Sequence, residues 1–119
     1  MVGDTARFDA VLELCQDRYR RLILAVLASE SGPLSVDDLT ETIVEYNHHA
    51  SITEIAPDEI DRIRLTLHHQ HLPKLEQRGV LTYDLERELV TPTATFDELQ
   101  PLFSPIIEAD PSFELPVTL

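Results

Sequence analysis

Between Arg62 and Arg78 the chain gathers side chains suited to binding a polyanion. Four cations (Arg62, Arg64, Lys74, Arg78) stand there against one anion (Glu76), so this stretch carries +3. Residues 1–61 carry four cations and thirteen anions, or −9, and residues 79–119 carry one cation and eight anions, or −7. His68, His69, Gln70 and His71 are interleaved with the cations. Ammonium and guanidinium groups suit phosphate oxygens, and the planar donor sets of Arg and Gln match base edges. A local basic patch is the electrostatic footprint expected of phosphate contact. On this reading Arg62, Arg64, His69, Gln70 and Lys74 face a groove. Arg64 and Gln70 reach base edges, and Lys74 and Arg78 hold phosphates. On the alternative reading the arginines solubilise a helix or pair with nearby carboxylates. Arg20 and Arg21 divide in the same way, between backbone contact with DNA and intramolecular pairing.

Other chemistries lack their parts. His68 and His71 lie one helical turn apart and His48-His49 offers a third imidazole, but no Cys or acid stands at ligand spacing beside them, so no metal site is expected. His69 is expected to face outward, with His68 and His71 packing partly inward. Three glycines provide no phosphate-cradling loop, and no nucleophile motif is present. The expectation is therefore a protein without cofactor, without an evident small-molecule effector, and not an enzyme. The single Cys15 allows no internal disulfide and reads as a buried thiol.

The elements that must position these residues follow from periodicity. Phe8, Val11, Leu12 and Cys15 mark one face of a helix over 5–15. A second helix runs from about Asp17 to Ser29 with Tyr19, Leu22, Ile23, Val26 and Leu27 inward. Ser31 to Leu34 reads as a loop. Ser35 and Asp38 have capping-box spacing and open a helix to about Tyr46. A polar connection spans 47–57, longer than a helix-turn-helix turn of about 3–4 residues. The basic helix runs over 58–78, with Leu65, His68, Leu72 and Leu75 as its inner stripe. Pro73 has no N–H for the carbonyl of His69, so a kink or break is expected there. Gly79 signals the end. Val80–Tyr83 and Leu89–Thr91 then form a hairpin around Asp84, Leu85, Glu86 and Arg87. Its tip is mostly acidic and makes a poor phosphate clamp. Thr95 and Glu98 have capping-box spacing for a helix that Pro101 and Pro105 keep short. Ala109–Leu119 reads as irregular. The division is a domain over 1–92 and an acidic, Pro-containing tail over 93–119.

Twenty-two acids against nine bases give a net charge of −13, and Lys74 is the sole lysine. In molar salt the Debye length falls to about 3 Å, which screens the self-repulsion of such a surface. This composition resembles that of salt-accumulating haloarchaeal proteins. No apolar run approaches the roughly 20 residues that span a bilayer. The start, Met1-Val2-Gly3-Asp4, has neither part of a secretory signal, so a cytoplasmic location is expected.

The run His71, Leu72, Lys74, Leu75, Gly79, Val80, Leu81 resembles the segment closing the recognition helix of ArsR- and MarR-like regulators. More closely, the chain resembles a family of small haloarchaeal winged-helix proteins of unassigned function. The resemblance rests on Arg20-Arg21, on Gly32-Pro33-Leu34-Ser35 and on Leu67, His69, His71, Leu72, Pro73, Lys74 and Leu75. It covers roughly residues 8–92. It implies a mainly α fold with a small β-hairpin, a winged helix-turn-helix. The expected function is a transcriptional regulator reading double-stranded DNA with helix 58–78. The faces Phe8/Val11/Leu12 and Phe96/Leu99/Phe103 are expected to meet across a two-fold axis in a homodimer. The alternative is a winged-helix module that binds protein and not DNA.

Overall fold

The computed structural model describes residues 2–30 and 32–111, with side chains from Thr5 onward. Helix α1 spans Val2–Leu14 and α2 spans Arg18–Ser29. A two-residue strand β1, Leu34–Ser35, leads directly into α3, Val36–His48. After a single 3-10 turn (Ile52–Glu54) comes the longest helical run, in three parts. These are α4 (Pro57–Thr66), a π-helical turn (Leu67–His71) and α5 (Leu72–Gln77). Strands β2 (Leu81–Asp84) and β3 (Leu89–Pro92) form the hairpin, and α6 covers Ala94–Glu108. The fold is mainly helical with one small antiparallel sheet, ordered β1-β3-β2. Leu34 pairs with Val90, and Tyr83 pairs with Val90 from the other side. This architecture is compatible with a winged-helix arrangement.

The caps explain the boundaries. Asp17 accepts from the backbone N–H of Tyr19 and of Arg20 and starts α2. Ser35 Oγ accepts from Asp38 N–H at 3.0 Å, as its spacing predicts. Ser35 thereby serves both as the last residue of β1 and as the cap of α3, which is why a segment that reads as a loop contributes a third strand. The basic helix ends in a Schellman arrangement: Val80 N–H donates to the carbonyl of Leu75, Gly79 N–H donates to that of Glu76, and Gly79 has φ +79°. That left-handed conformation is one glycine adopts without strain.

Three expectations require correction. The first concerns the basic helix. The run stays helical through Pro73, but its regular α pattern lapses just before it, in the π turn, where Leu72 N–H reaches back five residues to the carbonyl of Leu67. The extra residue rotates the inner face, so the buried positions are Ile63, Leu67, His71, Leu72 and Leu75. Leu65, expected inside, is 56% exposed.

The second concerns the tail. The helix after the hairpin is not short: α6 has 15 residues and contains both Pro101 and Pro105. Its cap is Thr93, whose Oγ1 accepts from Phe96 N–H, and not Thr95. Both prolines lie at exposed positions, and the helix is held by its apolar face. Phe96, Leu99, Phe103 and Ile107 are buried in the same core as α2 and α3. The irregular end expected over 109–119 falls, from residue 112 on, outside the described residues.

The third concerns α1. It begins at Val2, and its buried residues are Val11 and Leu14, followed by the buried Cys15 just past its end, while Phe8 and Leu12 are 49% and 42% exposed. The faces assigned to a dimer contact are thus in part used within one chain, where α1 packs on α6. Phe8 and Leu12 on α1 and Leu102 on α6 remain at the surface.

Candidate nucleic-acid interface

The helical run 57–77 reaches the surface along one side and is held on the others. Ile63, Leu67, Leu72 and Leu75 anchor it in the core. Toward the hairpin, Glu76 accepts from the backbone N–H of Tyr83, and the Tyr83 hydroxyl contacts His68 Nδ1. Burial pushes the Tyr83 phenol up, aided by the Glu88 and Glu76 carboxylates, so it stays neutral. Thr93 Oγ1 donates to the Gly79 carbonyl and Thr93 N–H to that of Val80. Hairpin and helix therefore form one tied unit, which fixes the orientation of whatever the helix presents.

His71 is the buried histidine of this run, 1% exposed. Its ring lies 5.8 Å from that of Tyr19, and its Nε2 sits 3.6 Å from Asp17 Oδ1, too long for a hydrogen bond. Its Nδ1 has no partner. Burial lowers its pKa, the Asp17 carboxylate works in the opposite direction, and Arg20 adds to the lowering. His71 is a neutral core residue, more deeply placed than its sequence context suggests. His68 is half-buried and His69 exposed, both as expected. Among the described residues no three His, Cys, Asp or Glu side chains converge on a possible metal site.

The six residues singled out for DNA contact do not form a single cluster. Arg62, His69 and Gln70 point outward. Arg62 lies 3.4 Å from Glu59, one turn back. Arg64 bridges two helices: its Nη1 meets Asp61 Oδ1 at 3.2 Å, and its Nε stands 3.2 Å from Asp37 Oδ1 on α3, without hydrogen-bond alignment. Lys74 and Arg78 are brought together, one turn apart, on a carboxylate from α1. Lys74 Nζ lies 2.7 Å from Glu13 Oε1, and the Arg78 guanidinium contacts Glu13 Oε2. The Lys74 hydrogen bond and both cations hold the Glu13 carboxyl below its usual range. Gln70, Pro73, Lys74, Glu76 and Gln77 line a surface hollow beside this cluster.

Every cation of the basic stretch thus has a carboxylate within ion-pair distance. The partners Glu13 and Asp37 come from other helices, and no local pattern links them to residues 62–78. The exposed residues of the run are Pro57, Asp58, Asp61, Arg62, Leu65, His69, Gln70, Pro73, Glu76 and Gln77, so one cation stands there among acids, polar groups and apolar groups. At the hairpin tip, Asp84 accepts from the backbone N–H groups of Glu86 and Arg87, which shapes an acidic turn.

Arg20 and Arg21 have intramolecular roles. Arg20, 8% exposed, donates from Nε to the Leu14 carbonyl at 2.9 Å and from Nη2 to the Glu13 carbonyl at 3.0 Å. Arg21 donates to the Cys15 carbonyl and to Asp110 Oδ2 at 3.0 Å. Together they cap the C-terminal end of α1, which has no basic residue in its own last turn.

The molecule is thus a small, mainly helical protein in which a long helix is tied to a three-stranded antiparallel sheet. Residues 12–91 match the model of a domain of unknown function, DUF7344, and the chain belongs to that family. The match runs from the end of α1 to β3. No curated protein and no solved structure matches the chain. No helix among the described residues is long and apolar enough to cross a membrane.

Proposed function

We propose that this chain is a winged helix-turn-helix transcriptional regulator that binds double-stranded DNA in the cytoplasm of a salt-accumulating cell. The observation that carries the reading is the element order α2-β1-α3-α4/α5-β2-β3 with the sheet order β1-β3-β2. That order sets the outward side of helix 57–77 beside a hairpin, which is how winged domains offer a helix to a major groove. Arg62, His69 and Gln70 are the groove-facing residues of this reading, with Gln70 suited to a base edge. Arg64, Lys74 and Arg78 serve it only when their carboxylate partners release them. A homodimer, in which two such helices meet successive half-sites, completes the proposal. Among the described residues, Phe8, Leu12 and Leu102 are the large apolar side chains exposed on α1 and α6 for that contact.

A second reading, a winged-helix module that binds protein, is favoured by a specific observation. The four cations of the basic stretch are each paired with a carboxylate, and Leu65 lies exposed in the middle of the outward face. Retention of genomic DNA fragments by the purified chain in molar KCl separates the two readings. Enrichment of particular fragments, lost on replacing Arg62 and Gln70 together by Ala, supports the first. No retention at any salt concentration that keeps the chain folded supports the second.

A further inference from the structure

We propose that Lys74 and Arg78 form a site for a backbone phosphate of a nucleic acid that Glu13 occupies in the free protein, so that a carboxylate of α1 competes with DNA. The inference rests on the DNA-binding reading and adds to it a regulated contact.

The geometry carries it. Lys74 and Arg78 stand at i and i+4 on the last turns of the helical run, and each meets a different oxygen of the same carboxylate. The two non-bridging oxygens of a phosphodiester offer the same two acceptors to two cations. One carboxylate between two cations leaves Glu13, Lys74 and Arg78 together at +1; the nearest further carboxylate on this side, Glu76, is engaged by the Tyr83 N–H. All three side chains are accessible, at 33% for Glu13, 36% for Lys74 and 41% for Arg78. An incoming phosphate therefore reaches them without unfolding anything.

The carboxylate is free to leave while the backbone that bears it stays. The Glu13 main-chain carbonyl is fixed by Arg20, whereas the side chain is a flexible arm. Exposed ion pairs of this kind exchange at little cost. The hollow lined by Gln70, Pro73, Lys74, Glu76 and Gln77 adjoins the cluster, so the strand that supplies the phosphate has room beside the helix.

The test compares three variants of the full chain on mixed-sequence duplex DNA over a series of KCl concentrations. Glu13→Gln removes the competing charge. Glu30→Gln makes the same change in net charge at the far end of α2. Glu13→Gln combined with Lys74→Ala removes one of the released cations. Thermal melts of each verify that the fold is intact.

The expected result for Glu13→Gln is binding about two- to fivefold tighter, the range over which an exposed ion pair competes. Its salt slope is expected to steepen by about 0.9 for each additional phosphate neutralised. Glu30→Gln is expected to leave the slope unchanged, and adding Lys74→Ala to return it toward the parent value. Glu13→Gln indistinguishable from Glu30→Gln, or binding more weakly than the parent chain, overturns the phosphate site and leaves the DNA-binding reading to the outward residues. No DNA binding by the parent chain or any variant overturns both. Binding by Glu13→Gln where the parent shows none supports the proposal in its strongest form.

Discussion

Replacing Arg20 by Met tests whether a buried guanidinium holds α1 to the rest of the fold. The substitution keeps an unbranched apolar stem of similar reach and removes the donors to the Leu14 and Glu13 carbonyls. Hydrogen bonds from a charged donor contribute about 1.5–3 kcal/mol each. Two opposing effects reduce the sum. The variant no longer buries a charge, and part of the desolvation cost returns with it. The Glu13 carbonyl, which is only part-buried, also regains water. A net loss of about 2–3 kcal/mol is expected. For a chain of this size that lowers the melting temperature by roughly 8–12 °C. Urea unfolding at one fixed high salt concentration should show a lower midpoint with an unchanged slope, because the surface exposed on unfolding barely changes. Arg20→Lys should recover less than half of the loss, since an ammonium group does not span two carbonyls as the guanidinium fork does. A Met variant within about 0.5 kcal/mol of the parent, the range of ordinary surface substitutions, refutes the argument and assigns the docking of α1 to its apolar contacts alone.

The π turn makes a paired prediction: Leu67→Ala should cost about 2–5 kcal/mol and Leu65→Ala less than about 0.5 kcal/mol, with a reversed order in urea unfolding contradicting the described inner face. His71 has a pKa pushed below its ordinary 6.5 by burial, with Arg20 adding to the lowering and Asp17 opposing it, while the phenol of Tyr19 stacks beside it uncharged. The unfolded chain therefore binds more protons in the window that opens at 6.5 and extends down to the folded-state value, so stability falls there as pH falls; unfolding curves across that window should show the slope in the parent chain and lose it in His71→Gln. Burial pushes the Cys15 thiol up to about 11, so a thiol reagent at neutral pH should label it only as fast as the fold opens, and rapid labelling in the absence of denaturant would contradict its placement. Lowering KCl from about 3 M to about 0.1 M removes the screening of a −13 chain and should lower its melting temperature, a flat or rising profile being the contrary result.

What could be read from the sequence was local. The Ser35 cap, the Gly79 terminator and the alternation of Leu81, Tyr83 and Val90 each depend on neighbours within a few residues, and each lies where its pattern puts it. The misplacements have tertiary causes. Strand β1 is two residues long and exists because Leu89 and Val90 lie opposite it, which no periodicity in residues 31–35 signals. The prolines of α6 predict a short helix by propensity, but Phe96, Leu99, Phe103 and Ile107 bury enough apolar surface against α1 and α2 to hold 15 residues helical. The candidate site shows the same division. That residues 62–78 are basic is a property of composition. That Glu13 and Asp37 oppose those charges depends on helices distant in the chain being packed side by side, and the sequence carries no mark of either.

The π turn has a consequence for comparing this chain with other helix-and-hairpin proteins. A regular helix advances about 100° per residue, and one additional residue between Leu67 and His71 puts every later side chain a full step out of phase with such a helix. Superposed on a straight helix by its first half, Pro57–Thr66, the second half matches only if one position is skipped. An ungapped alignment therefore matches the inner residue Ile63 of the first half, or the inner residues Leu72 and Leu75 of the second, but not both halves together. Any transfer of residue roles onto His69, Gln70 or Lys74 must open a one-residue gap within 67–71 before the correspondence is drawn.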